Sequence, residues 1–211
     1  MATIASFNAP NPTSGSHGFI MEQVKPSDLN TEQRKQIRLL ICDVDGVLTD
    51  GMLSYTAKGE EIKHFNVKDG LGIRLLIHSG VEVAIITARD SEPLRRRVQD
   101  LGIKHFYPGQ DDKITALQEL SEKLSLESKQ IAYIGDDMLD LPVMRAVGLA
   151  ITVADGHSSV KHEADAVTEL KGGHGAVREV ADALINARQP LADAYNEFLA
   201  TKLGSTYLTT A

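Results

Sequence analysis

Apolar residues in this chain follow two kinds of pattern. In the first they form short, nearly unbroken blocks, at Ile37 to Asp43, at VEVAIIT (81–87) and at QIAYIGD (130–136). Blocks of this length read as strands buried on both faces of a sheet. Shorter blocks at Lys104 to Tyr107, Leu149 to Val153 and Ala166 to Thr168 predict further strands. In the second pattern apolar residues recur at helical spacing. Asp69 to Ser79 carries them at 71, 73, 75, 76 and 77 and is closed by Gly80, as a helix ending on glycine would be. The same reading gives helices from Ser91 to Gly102, about Asp112 to Leu124, about Met138 to Val147, Ala176 to Ala187 and Leu191 to Lys202. A short helix, Thr31 to Gln36, leads into the first strand.

One stretch fits neither pattern. Leu53 to Val67 has two partly alternating arms around Lys58-Gly59, which predicts a β-hairpin. Strands alternating with helices argue for a parallel sheet. The expected fold class is therefore α/β: a doubly wound, Rossmann-like parallel sheet with a β-hairpin insertion after the first strand and no cap domain. The domain should span 31–188. Residues 1–30 read as a flexible N-terminal tail and 189–211 as a C-terminal helix and tail.

Composition narrows the function. The net charge is −7 across 211 residues, which argues against a general nucleic-acid surface. The single cysteine, Cys42, excludes an internal disulfide framework and fits a reducing compartment. Lying in an apolar strand just before Asp43, it should point to the opposite face and pack. No apolar run has the length of a membrane span, and the first 24 residues lack the basic start and apolar block of a secretory signal. These features predict a cytoplasmic protein without a membrane partner.

In doubly wound sheets ligands bind at the carboxyl ends of the strands. There the chain reads LLICDVDGVLTDG (39–51), with Asp43 and Asp45, then Thr87, then Asp136 and Asp137; Lys113 opens the helix before the last of these strands. Taken singly, each has an ordinary reading. Asp-Gly makes turns, Thr caps helices, and lysines sit on surfaces. Charges at the end of a buried strand are expensive unless something binds them. Together these residues suit phosphoryl transfer. Asp43 can attack a phosphate monoester if the phosphate charge is offset. Asp43 and Asp136 make a hard oxygen site for Mg²⁺. Lys113 adds positive charge, and Thr87 a neutral donor for a phosphoryl oxygen. Asp45 is placed to protonate the departing alkoxide and later to activate water.

DVDGVLTDG, IITAR, Lys113 and GDDMLD resemble, in order, the motifs of the haloacid dehalogenase-like phosphatases. The resemblance implies Asp43 as nucleophile, Asp45 as general acid and base, and Thr87 and Lys113 as phosphoryl binders. It implies Mg²⁺ held by Asp43, Asp136 and the main-chain carbonyl of Asp45, with Asp140 and Asp137 supporting from behind. DGMLSY, GEEIKHFNVKDGLGIRLL, PVMRAVGLAITVADGH and GGHGAVREV look like one branch, the 3-deoxy-D-manno-octulosonate 8-phosphate phosphatases, over roughly 37–188. Two positions depart from it: Ala88 stands where glycine is common, and His174 where arginine is. The branch implies a small sugar-acid phosphate as substrate, made for lipopolysaccharide, and a homotetramer whose subunits close one another's sites.

Other readings remain. A nonulosonate 9-phosphate is an alternative substrate, and a receiver-like phosphoacceptor domain is the non-enzyme alternative. An EF-hand reading of DVDGVLTDG fails, because Val47, Leu48 and Ser54 stand at ligand or turn positions. The seven histidines are scattered, which argues against zinc. Arg95 to Arg97 read as a solvated helix face. Arg89, two residues beyond Thr87, and Lys68 are candidates for a substrate carboxylate. Asp69 is a candidate too, although capping of a helix start explains it as well.

Overall fold

The computed structural model describes residues 23–203. In chain order the elements are α1 (Thr31–Gln36), β1 (Leu39–Cys42), β2 (Ser54–Tyr55), β3 (Glu61–Ile62), α2 (Val67–His78), β4 (Glu82–Ile86), α3 (Glu92–Leu101), β5 (His105–Tyr107), α4 (Lys113–Leu124), β6 (Ile131–Gly135), α5 (Leu141–Met144), β7 (Leu149–Thr152), α6 (Ser158–Glu163), β8 (Ala166–Val167), α7 (Ala176–Asn186) and α8 (Leu191–Leu203). Six strands form one parallel sheet in the order β5-β4-β1-β6-β7-β8, and β2 pairs with β3 as a separate antiparallel ribbon.

Alternation along the strands divides the core into two layers. Leu40, Cys42, Val83, Ile85, Ala132 and Ile134 face α2, α3, α7 and α8. Leu39, Ile41, Ala84, Ile86, Ile131 and Tyr133 face α4, α5 and α6. Helices thus cover both faces, as the unbroken apolar blocks require. Cys42 packs as expected, and burial pushes its thiol far above the usual range, so it is inert.

Helices α2 and α7 pack closely because Gly72 carries no side chain. A Cβ there would lie 2.9 Å from Cδ of Arg178 and 3.2 Å from Cβ of Ala181. Asp69, also on α2, reaches across to cap α7. Its carboxylate accepts from the amides of Gly175 (3.2 Å) and Arg178 (2.8 Å), donors that Gly175 at the cap position cannot satisfy itself.

Some boundaries differ from the sequence reading, each for a local reason. Helix α2 starts at Val67 rather than Asp69, because the Asn66 side chain accepts from the Lys68 amide at 2.8 Å. The hairpin between Leu53 and Val67 pairs only Ser54 with Ile62 and Tyr55 with Glu61. The helix expected from Met138 to Val147 is a 3₁₀ turn, Met138–Asp140, followed by the short α5. Helix α6, capped by the His157 ring, was not anticipated.

The expected flexible tail falls largely in residues 1–22, which lie outside the described residues, as do 204–211. Residues 24–30 lie against the domain: the Val24 carbonyl accepts from Val167 at 2.8 Å, and Pro26 is buried. Among the described residues no helix is long and apolar enough to cross a membrane. Between β1 and α2 the chain forms only the ribbon and its flanks, with no cap domain.

Candidate active site

Register decides which residues meet. β1 lies between β4 and β6, with Cys42 opposite both Ile85 and Ile134. The residues that follow form one row at the carboxyl edge of the sheet: Thr87, Asp43 and Asp136. Asp43 still belongs to the ladder, its amide donating to the Ile134 carbonyl at 3.0 Å. Thr87 is buried and its amide donates to the Tyr107 carbonyl at 3.1 Å. Backbone fixed in this way holds side chains in place before any ligand arrives.

Lys113 is the first residue of α4, a position set by the Asp112 cap, whose carboxylate accepts from the amides of Ile114 and Thr115. Its buried ammonium lies 3.0 Å from Asp43 Oδ2 and 2.7 Å from Asp140 Oδ1. Burial alone would lower its proton affinity, but the carboxylates of Asp43 and Asp140 outweigh this and raise it, so it stays charged.

Asp140 organises this side of the site. Its Oδ1 accepts from Lys113 and from the Tyr133 hydroxyl at 2.5 Å; its Oδ2 accepts from the amides of Asp136 (2.9 Å) and Asp137 (3.1 Å). Four donors saturate one buried carboxylate. Burial, reinforced by the Asp140 charge, raises the Tyr133 phenol well above its usual range, so it remains a donor. The arrangement needs Gly135, because a Cβ there would lie 2.4 Å from Cγ of Asp140.

Asp43, Asp136 and Asp140 offer oxygens that lie within 4.8 Å of one another. With Asp140 saturated, Asp43 and Asp136 have lone pairs to give. The Asp136 carboxylate accepts no hydrogen bond among the described residues, whereas its main-chain carbonyl accepts from the His157 amide at 2.7 Å. Burial, and then the charge of Asp43, pushes its carboxyl up to about 7. Burial also pushes Asp43 up to about 6, with Lys113 opposing and Asp140 adding to the rise. Two acids that resist charging side by side are short of positive charge. Hard oxygen donors in that condition fit Mg²⁺.

The loop after β1 closes over this pair. Gly46 has φ +87°, and a Cβ there would lie 2.0 Å from Asp136 Oδ2. Gly172 backs the loop in turn, since its Cβ would lie 1.7 Å from the Gly46 carbonyl oxygen, while the Gly173 amide donates to Val47 at 2.8 Å. Gly-Gly-His-Gly therefore braces the loop after β1. His174 itself is exposed, its Nδ1 2.7 Å from the Gly172 carbonyl.

Known proteins resemble this chain. The haloacid dehalogenase-like hydrolase family matches residues 105–180. The 3-deoxy-D-manno-octulosonate 8-phosphate phosphatase KdsC of Yersinia pestis is 51% identical over 76% of this chain and 86% of its own length. That of Escherichia coli K12 is 50% identical over 76% of this chain and 85% of its own. The chain belongs to this phosphatase family, among the haloacid dehalogenase-like hydrolases. A solved structure of the Moraxella catarrhalis 3-deoxy-D-manno-octulosonate 8-phosphate phosphatase, in complex with magnesium, phosphate and KDO, superposes with a TM-score of 0.75. It is 43% identical over 81% of this chain and 96% of its own.

In this member of the phosphatase family the other wall of the site comes from the hairpin. Asp45 Oδ1 accepts from the Lys63 ammonium, with the Thr49 hydroxyl at 3.5 Å. Asp45 Oδ2 has no hydrogen-bond partner among the described residues, and Arg89 Nε stands 3.6 Å away. Glu61 lies 3.3 Å from both Lys63 and Arg89, and the Tyr55 hydroxyl is 3.3 Å from Arg89. The half-exposed Arg89 is thus presented at the rim by two ribbon residues.

The remaining candidates have other partners. Asp69 is buried as the cap of α7, not open to a ligand. Exposed Asp137 accepts from its neighbour's amide, Met138, at 2.7 Å. Lys68 is exposed and makes no ion pair among the described residues. Sequence reasoning missed Tyr133, Gly46, Gly172, Glu61 and Lys63. The glycines and Tyr133 lie inside or beside the quoted motifs, yet their role is set by distance and only the fold supplies it. For Lys63 the one signal was a lysine two residues from a glutamate on an extended arm.

Proposed function

We propose that this chain is a Mg²⁺-dependent phosphomonoesterase that hydrolyses 3-deoxy-D-manno-octulosonate 8-phosphate to the free sugar acid and phosphate, in the cytoplasm, for lipopolysaccharide precursor synthesis. The observation that carries the reading is the row Thr87–Asp43–Asp136, backed by Lys113 and Asp140, in a chain half identical to phosphatases of that name.

Asp43 and Asp136, with the main-chain carbonyl of Asp45, would hold Mg²⁺, which supplies charge neutralisation for the phosphoryl oxygens and for the attacking carboxylate. The rest of the chemistry falls to side chains. An Asp43 oxygen attacks phosphorus, the bond from phosphorus to the sugar oxygen breaks, and Asp45 gives that oxygen its proton. Asp45, now a carboxylate, takes a proton from water as the water oxygen attacks the aspartyl phosphate. The Asp43 carboxylate is restored and phosphate leaves. Thr87 and Lys113 hold phosphoryl oxygens during both steps. Lys113 also offsets the charge of Asp43 before attack. Arg89, at the rim, suits the carboxylate of the sugar acid.

The assembly we assign is a homotetramer. Leu53, Tyr55, Ile62 and Val67 are 46%, 57%, 43% and 79% exposed on and beside a ribbon too short to stand alone, and copies of the same ribbon would cover them. Release of inorganic phosphate from a panel of sugar phosphates, with and without chelator, tests the activity. Preference for a nonulosonate 9-phosphate, or turnover in excess chelator, would overturn the assignment. Light scattering of wild type and Ile62→Glu tests the assembly, with a tetramer and a smaller species expected.

A further inference from the structure

Lys63 is charged and nearly sealed from solvent, and the reading above gives it no role: its side chain is 2% exposed. Burying an ammonium is costly unless it is paired, and a buried ion pair often contributes little net stability. What such a pair does provide is a fixed geometry. Here that geometry falls on Asp45.

The two oxygens of Asp45 have different surroundings. Oδ1 takes the Lys63 ammonium, and Oδ2 accepts no hydrogen bond among the described residues, with only Arg89 Nε near it at 3.6 Å. Lys63 is itself held from the far side by Glu61 at 3.3 Å. Residues two apart on an extended arm point the same way, so one face of the ribbon delivers both Glu61 and Lys63, while Ile62 between them is 43% exposed. A carboxylate that must pass a proton to a leaving oxygen works best with one oxygen tethered and the other free. Thr49, at 3.5 Å, is too distant to tether it alone.

We propose that Lys63 is a positioning residue for the acid and base Asp45: it anchors Oδ1 and thereby turns Oδ2 toward the sugar oxygen that leaves. The inference rests on the phosphatase reading above. It gives the ribbon a part in the chemistry within a single subunit, apart from any role in assembly.

The test uses leaving groups of different need. A sugar alkoxide must be protonated as it departs, whereas nitrophenolate leaves without help. Wild type, Lys63→Met, Lys63→Arg, Asp45→Asn and the double variant Lys63→Met/Asp45→Asn are assayed on the sugar-acid phosphate and on p-nitrophenyl phosphate. For Lys63→Met, kcat/KM should fall about 100-fold on the sugar-acid phosphate and about 5-fold on the aryl ester, within the usual reach of general acid catalysis. Asp45→Asn should show the same inequality, and the double variant should lose no more than Asp45→Asn alone, because both changes break one unit. Lys63→Arg should show the same preference with a smaller loss, and it carries the test if Lys63→Met does not fold. Equal losses on the two esters, or additive losses in the double variant, overturn the proposal. So does a rise in KM with kcat unchanged, which would make Lys63 a substrate-binding residue. Wild type inactive on both esters would instead sink the phosphatase reading, a result distinct from any of these.

Discussion

The two walls of the active site are built differently. The inner wall, Asp43, Lys113, Asp140 and Tyr133, hangs on strand ends and a helix start; Lys113, Asp140 and Tyr133 are sealed from solvent, and every oxygen of Asp140 is satisfied. The outer wall, Asp45, Lys63, Glu61, Arg89 and Tyr55, hangs on a loop and a ribbon with two paired residues on each arm, and one buried oxygen of Asp45 accepts no hydrogen bond among the described residues. The inner wall can be rigid because the groups it serves, a phosphoryl group and a cation, are the same in every turnover. The outer wall meets the rest of the substrate and must exchange partners as it arrives. The contrast predicts that changes to the inner wall cost chemistry and stability together, whereas changes to the outer wall cost selectivity.

The largest effect should come from Asp43, the nucleophile we propose. Asp43→Asn keeps the shape but removes the attacking charge, so kcat should fall by about 10⁴-fold or more on any ester, aryl phosphate included. Near-normal turnover by the folded variant would end the covalent mechanism.

Next is Asp140. In Asp140→Asn the amide nitrogen must face either Lys113 and Tyr133 or the amides of Asp136 and Asp137, all of which donate in the native site. Breaking such a buried set should cost about 3–5 kcal/mol, read by chemical denaturation, together with a large loss of kcat. A variant as stable as wild type would show that the inner wall is not the closed unit described here.

Much of the inner wall could be read from sequence, because its logic is local. Asp43, Thr87 and Asp136 each end an apolar block, and adjacent parallel strands bring such ends together whatever the register of the loops. Lys113 could be placed by its order between the second and third blocks. The outer wall was not legible. Lys63 and Glu61 matter only because a weakly patterned ribbon folds back over Asp45, and no periodicity records that return. Asp69 misled for a similar reason. It stands at a helix start, which suggested a cap or a ligand contact, and the helix it caps is α7, more than 100 residues away.

The cation itself can be weighed through pH. The acids Asp43 and Asp136 are raised to about 6 and about 7, so between the unfolded carboxylate range and pH 7 the folded chain binds more protons than the unfolded one. Their contribution to stability is therefore full below about pH 4 and is lost as pH climbs through 6 to 7. Mg²⁺ reverses this by pairing the charged forms. The rise in melting temperature on adding Mg²⁺ should be larger at pH 8 than at pH 5.5, and Asp136→Asn should flatten the difference. An equal rise at both pH values in wild type would argue that the ion binds elsewhere.

The smallest and most selective effect belongs to Arg89. It is 43% exposed in its side chain, and its neighbours Tyr55, Glu61 and Asp45 hold it by contacts of 3.3–3.6 Å, none of them short. Solvated pairs of this kind contribute little to stability, about 0–1 kcal/mol, so Arg89→Ala should melt near wild type. What it should lose is recognition of the substrate's carboxylate. A charge-assisted hydrogen bond is worth about 1.5–3 kcal/mol, so KM for the sugar-acid phosphate should rise at least tenfold with kcat within a few-fold of wild type. The aryl phosphate, which has no carboxylate, should be handled nearly as before. The comparison of walls gains most from Arg89→Lys. A point charge keeps attraction for a carboxylate but cannot span Tyr55 and Glu61 while presenting two parallel donors, so it should recover only part of the loss. If Arg89→Ala instead lowers kcat equally on both esters, Arg89 acts through Asp45, and the outer wall shares the chemistry rather than the choice of substrate.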